Sequence, residues 1–294
     1  MDRRDLAFSG DHRQMIQKIL FPVDFSLPCV AMAAYVERAA AIFRAEVTLV
    51  HVCDLSSHNG FELYARPSNE IREEHLNLAR GKLELFLKSE FPAAQCPRVL
   101  LAGETASEIA EIASKRKFDL IVMPTHAGRF RQMLLGSTTA KVLNDTDCPV
   151  LTMQHAPTIA PRSLEHRNWV CAIGSSLNSE RVLRYARDAA SAAGAKLSLI
   201  HAIQPRDGMS ENGRPFEEER KARERLAEFQ SRLGSDASVS IAAGPVKETL
   251  LNVARQSSAD VLVIGKSLHS STLGRMRDLT YSVIRDSPCP VVSV

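Results

Sequence analysis

One stretch occurs twice and decides the fold: "TDCPVLTM" at residues 146–153 and "SPCPVVSV" at residues 287–294. In both, a Cys-Pro pair leads into a short apolar run with the character of a buried strand. Outward from these endings the whole chain repeats. "AYVERAAAIFRAEVTLVHV" from Ala34 aligns with "RYARDAASAAGAKLSLIHA" from Arg184, so that Tyr35 meets Tyr185, Ala39 meets Ala189 and His51 meets His201, all 150 positions apart. "FDLIVMP" from Phe118 aligns with "ADVLVIG" from Ala259, now 141 positions apart, and Cys148 and Cys289 keep that spacing. The first copy therefore holds about nine extra residues between its second and third strands. Collinear matching over the full length marks a duplicated domain. The two copies are expected over 15–154 and 168–294. "QHAPTIAPRSLEHRN" (154–168), with two prolines and no apolar period, is the linker between them.

Within the first copy, continuous apolar runs alternate with helical periods. "KILFPVDF" (18–25), "EVTLVHVCD" (46–54), "CPRVLLAG" (96–103), "FDLIVMPTH" (118–126) and "CPVLTM" (148–153) are the strands. "LPCVAMAAYVERAAAIFRA" (27–45), roughly 68–90, "TASEIAEIASKRK" (105–117) and roughly 137–145 are the helices. Strands apolar on both faces and separated by helices call for a parallel sheet covered on both sides. Each copy is thus a doubly wound, Rossmann-like α/β domain. Its last strand lies at a sheet edge, where unpaired backbone groups need cover. Two such edges in one chain can cover each other, which makes the halves an internal pseudo-dimer joined through the twin endings.

Composition narrows the function. Hydrophobic residues make up 45% and charged residues 24%, with a net charge of +3. That charge is too small to recommend nucleic acid or an acidic membrane as partner, and one Trp and four Tyr are too few for a base-stacking surface. The six cysteines never stand at CxxC spacing, which fits neither a zinc site nor a disulfide framework. No apolar stretch approaches the roughly 18 residues of a membrane span, and the polar start "MDRRDLAFSGDHRQMIQ" does not resemble a signal peptide. A cytoplasmic protein with reduced thiols is expected.

In an open α/β sheet, ligands bind beyond the carboxyl ends of the strands, where the strand order reverses. In the first copy those ends are Asp24, Val52, Gly103 and the loop Thr125–Ser137, "THAGRFRQMLLGS". Gly136-Ser137 opens a helix: its backbone amides suit a phosphate, or Ser137 serves only as a cap. Asp24 suits a ribose or base, or caps the turn before Pro28. Arg129 and Arg131 suit phosphates or solvent. His126 is a loop histidine, and no nucleophile–base triad is legible.

"ILFPVDFS" (19–26), "VTLVHV" (47–52), "FDLIVMPTHAG" (118–128) and "LLGSTTAKVLNDTDCPVLTM" (134–153) resemble the universal stress protein family, and the likeness extends over both halves. The resemblance implies five-stranded parallel sheets in the order 3-2-1-4-5 and pairing through the fifth strand. It implies ATP or another adenine nucleotide, accompanied by Mg. Pro22, Asp24 and Val52 would flank adenine and ribose. Thr125, Ala127 and Gly128 would line the turn after the fourth strand, and Gly136, Ser137 and Thr138 would hold phosphates. ATP-binding members carry Gly-x2-Gly-x9-Gly-Ser/Thr. Here Pro124 and Ala127 replace the first two glycines, and eight residues separate Ala127 from Gly136.

The second copy departs further, with Gly174 in place of Asp24, Arg277-Asp278 in place of Gly136-Ser137, and Leu268 at the second glycine. Its nucleotide site is expected to be degenerate. Three functions follow: a nucleotide-responsive regulator with at most slow ATP hydrolysis, a scaffold with both sites defunct, or a true enzyme of the wider adenine-nucleotide hydrolase-like fold. The first strand-to-helix turn, "DFSLPC", lacks the SGGxDS and HxGH motifs of such enzymes. The insertion "LSSHNGFELYARPSNEIREEHL" (55–76) is a lid, a partner surface or a plain loop. A second copy of the chain is a further candidate partner.

Overall fold

The computed structural model describes residues 15–54, 68–125, 135–154, 164–174, 178–203, 214–266 and 273–294. The first half runs β1 (Lys18–Pro22), α1 (Leu27–Phe43), β2 (Glu46–Cys53), α2 (Ser68–Leu85), β3 (Arg98–Ala102), α3 (Thr105–Lys115), β4 (Leu120–Pro124), α4 (Ser137–Asp145) and β5 (Val150–Met153). The second repeats this as β6 (Asn168–Ala172), α5 (Ser179–Ala192), β7 (Lys196–Ile203), α6 (Arg214–Leu233), β8 (Ser238–Ala243), α7 (Val246–Gln256), β9 (Val261–Ile264), α8 (Leu273–Asp286) and β10 (Val291–Ser293).

The strands form one sheet of ten, ordered β3-β2-β1-β4-β5-β10-β9-β6-β7-β8. Each half has the order 3-2-1-4-5 and is parallel throughout. Where the sequence suggests two sheets, the structure has two half-sheets fused edge to edge. β5 and β10 pair antiparallel, with Leu151 opposite Val292 and Thr152 opposite Val291. Each edge thereby gives its free N–H and C=O groups to the other, which removes two sheet edges at once.

Alternation along the strands divides the core into two layers that both cross the joint. Ile19 and Phe21 of β1, Leu151 of β5, Val292 of β10 and Trp169 and Cys171 of β6 pack on one face, under α1 and α5. Leu20, Val150, Val291 and Val170 turn to the other, under α3, α4, α7 and α8. Buried Met32, Tyr35, Val36 and Ala39 recur along α1 at helical spacing, as Val182, Tyr185, Ala186 and Ala189 do along α5.

Smaller devices are duplicated too. Asp119 Oδ2 accepts from the backbone N–H groups of Gln17 (2.8 Å) and Lys18 (3.0 Å) at the head of β1. Asp260 Oδ2 accepts from Arg167 and Asn168 (2.8 Å each) at the head of β6. His51 Nδ1 lies 2.7 Å from Val23 O, and His201 Nδ1 lies 2.7 Å from Ile173 O. A carbonyl only accepts, so Nδ1 carries the proton in both.

Two features break the symmetry at the joint. Lys266 follows β9 and reaches into the first half, where Nζ donates to Thr146 O (2.9 Å) and Cys148 O (2.8 Å). Its first-half counterpart is Thr125. Burial lowers the Lys266 ammonium from 10.5 to about 8. His166, just before β6, is 1% exposed and stacks among Tyr35 (5.4 Å), Phe43 (6.1 Å) and Trp169 (5.6 Å). Neither ring nitrogen has a hydrogen-bond partner among the described residues. Ile16 occupies the equivalent place in the first half.

Candidate functional site

β1 hydrogen-bonds to β2 on one side and β4 on the other. The crevice beyond its carboxyl end is therefore the switch point of the first half. Pro22 ends β1 and is buried; Asp24, two residues on, is exposed. Asp24 Oδ1 accepts from Ser26 N (3.0 Å), an Asx turn that leads the chain into α1. It also accepts from the Cys29 thiol (3.1 Å). Both the turn-forming role and an exposed carboxylate are thus present in one residue. Val52, on the neighbouring strand, is 8% exposed.

Between Asp24 and Ser26 the chain enters the left-handed region at Phe25 (φ 65°), a conformation unusual for a bulky residue. Packing holds it there: the Phe25 ring lies 4.3 Å from His51 and meets Phe86 edge-on at 5.3 Å. The His51–Val23 bond and the Val23 N–Val50 O bond (2.8 Å) fix the backbone under this ring.

On the β4 side, Gly136 N donates to Thr125 O (2.6 Å) and joins the two ends of the loop. Thr125 is buried, with Oγ1 donating to Met153 O (3.4 Å). Gly136 is the N-cap of α4 and, being a glycine, has no side chain to cap the first turn. Ser137 is the first helical residue and is exposed; Thr138 is half-buried. The capping role open to Ser137 is therefore not the one it takes. The first-turn amides of α4 lack an intrahelical partner by geometry, and the residue before them, Gly136, carries no side chain. Thr139 Oγ1 donates to Pro124 O (3.0 Å) and pins this helix end to the end of β4. Ala127 and Gly128, with His126, Arg129 and Arg131, lie outside the described residues, as does the insertion up to residue 67.

At the rim, Glu104 caps α3 by accepting from Ser107 N (2.8 Å) and pairs with Lys141 of α4 (2.9 Å). The Lys141 bond, aided by Ser107, pulls the Glu104 carboxyl down to about 2. Sequence reading passed over Thr139, Cys29, Phe25 and this ion pair. Only Thr139 left a visible trace, as the second threonine of "GSTT".

The second half differs in its backbone. The counterpart of Ser137 is Asp278, yet α8 begins at Leu273, five residues earlier. Residues 277 and 278 lie inside the helix, where amides bond to carbonyls four residues back. The open helix end of the first half has no equivalent at that position.

Two matches to the universal stress protein family model, at residues 15–154 and 165–294, span almost the whole described chain. The chain belongs to the universal stress protein family. Two curated relatives are single-domain in length: Universal stress protein MJ0531 of Methanocaldococcus jannaschii is 31% identical over 147 residues, covering 48% of this chain and 83% of that protein. Universal stress protein MJ0577 of the same organism is 27% identical over 155 residues, covering 48% and 96%. A universal stress protein crystal structure from Archaeoglobus fulgidus matches the tandem arrangement, covering 95% of this chain and 97% of that one, with a TM-score of 0.65 at 22% identity. Family membership and a two-domain α/β fold are therefore established for this chain. Among the described residues no helix is long and apolar enough to cross a membrane, and no three His, Cys, Asp or Glu side chains are placed to hold a metal ion.

Proposed function

We propose that the first half binds an adenine nucleotide, ATP foremost, and that occupancy of this site regulates the protein in a stress response. The observation that carries this reading is the glycine-headed start of α4, at Gly136, held by Thr139 beside the switch point at Asp24. Backbone amides there suit phosphate oxygens and the helix dipole favours their charge. Asp24 and Val52 would take ribose and adenine. Pro22 would floor them, and Thr125, Ala127 and Gly128 would line the turn. Ser137 and Thr138 would add hydroxyls to the phosphates. Any Mg2+ would arrive on the phosphates, since the described residues offer no ligand trio of their own. The second half, with its amides at 277–278 inside a helix and Gly174 in place of Asp24, keeps the fold and the joint.

Purified without added nucleotide and then denatured, the wild-type protein should release about one adenine nucleotide per chain on anion exchange. Asp24→Ala should release none. Two per chain would make the second half a live site. A rival reading, a scaffold that binds no nucleotide, draws on Pro124 and Ala127 standing where the binding signature has glycines. No release, with no heat on titrating ATP-Mg, would establish that reading instead.

A further inference from the structure

The Asp24 carboxylate is held from below. Its Oδ1 takes two protein donors, the Ser26 amide at 3.0 Å and the Cys29 thiol at 3.1 Å. Among the described residues Oδ2 receives no hydrogen bond. Cys29 sits on the first turn of α1 and is 1% exposed, so its thiol has no solvent to turn to. Burial and the adjacent Asp24 charge raise that thiol to about 12, which keeps its proton in place as a donor. The second half supplies a comparison within the same molecule. The residue 150 positions on from Cys29 is Ser179, and its Oγ donates to Gly174 O at 2.7 Å, Gly174 being the counterpart of Asp24. The helix position thus donates a hydrogen bond to the end of the first strand in both halves. Only in the first is the acceptor a side-chain carboxylate.

We propose that Cys29 is a positioning residue for the ligand site: its thiol, with the Ser26 amide, occupies Oδ1 of Asp24 and presents Oδ2 to a ribose hydroxyl of the nucleotide. This rests on the nucleotide reading above and adds which protein group orients the carboxylate. The bond is a charge-assisted one to a partly exposed acceptor, so its loss should be felt as orientation at Asp24.

The test compares ATP with 2′,3′-dideoxy-ATP by calorimetry on wild type, Cys29→Ser and Cys29→Ala. Cys29→Ser keeps a donor, as Ser179 does, and should bind ATP within about twofold of wild type. Cys29→Ala should weaken ATP about fivefold while leaving dideoxy-ATP nearly unchanged, so that the preference for the hydroxylated sugar narrows. A purely structural role would weaken both nucleotides alike and would overturn the proposal. The S–H stretching band of Cys29, isolated as the wild-type minus Cys29→Ala infrared difference, should move to higher frequency in Asp24→Ala; a band that stays put overturns it too. Wild type that binds neither nucleotide would bring down the nucleotide reading and this role together, whereas ATP binding with an unaltered preference in Cys29→Ala would bring down this role alone.

Discussion

His166 is where acid should act first. Burial outweighs the nearby Asp260 charge and lowers its imidazole from 6.5 to about 4, with Arg38 adding to the fall. Above pH 6.5 the ring is neutral in both the folded and unfolded chain. Between 6.5 and 4 the unfolded chain takes up a proton that the folded one refuses, so stability is lost as pH falls through that window. The expected loss is about 3 kcal/mol, read as a falling urea midpoint. His166→Phe fills the same aromatic stack without a titrating group and should flatten this part of the profile. An unchanged slope would place the acid sensitivity elsewhere. His166 has φ 51°, where Phe is strained, as Phe25 is, and a β-branched side chain more so; that cost does not vary with pH, so the slope rather than the absolute stability is the readout.

α4 is the element on which the proposed site depends. Thr139→Val removes the hydroxyl that ties its first turn to Pro124 and keeps the shape. About 1 kcal/mol of stability should go with the bond. If α4 holds phosphates, ATP affinity should fall several-fold while adenosine binding stays put; equal losses for both would mean that α4 does not touch the phosphates. Elements such as this one were largely legible in the sequence. Apolar strand runs, the Ala-rich period of α1 and the repeated Cys-Pro endings depend on local chemistry, and all of them fold as their patterns suggest. The start of α8 was not legible, because Gly274, a poor helix former, lies inside its first turn and the run HSST (269–272) offers several rival Ser and Thr capping residues. Nor were the aspartates Asp119 and Asp260 legible as clasps for β1 and β6. They stand about 100 residues from the amides they bind, and only the strand order brings them together. The same holds for Cys29, whose partner five residues away is reached only once α1 has turned back over the end of β1.

At the scale of the whole molecule the two halves should unfold as one. The sheet passes through the joint without a break, and each core layer contains residues from both halves. Calorimetry should therefore show a single transition with calorimetric and van't Hoff enthalpies in agreement. Val292, 1% exposed at the joint, gives a direct probe. Val292→Ala should cost about 2 kcal/mol and lower that one transition; splitting it in two would show that the halves are separately stable. Covalent fusion has a further consequence, visible at Lys266. In a symmetric homodimer every substitution occurs twice, so an ammonium placed at one end of the shared strands would have a twin at the other. One chain carrying both halves is free of that constraint. It has lysine on one side and Thr125 on the other, and so the joint has acquired a direction: the second half grips the first.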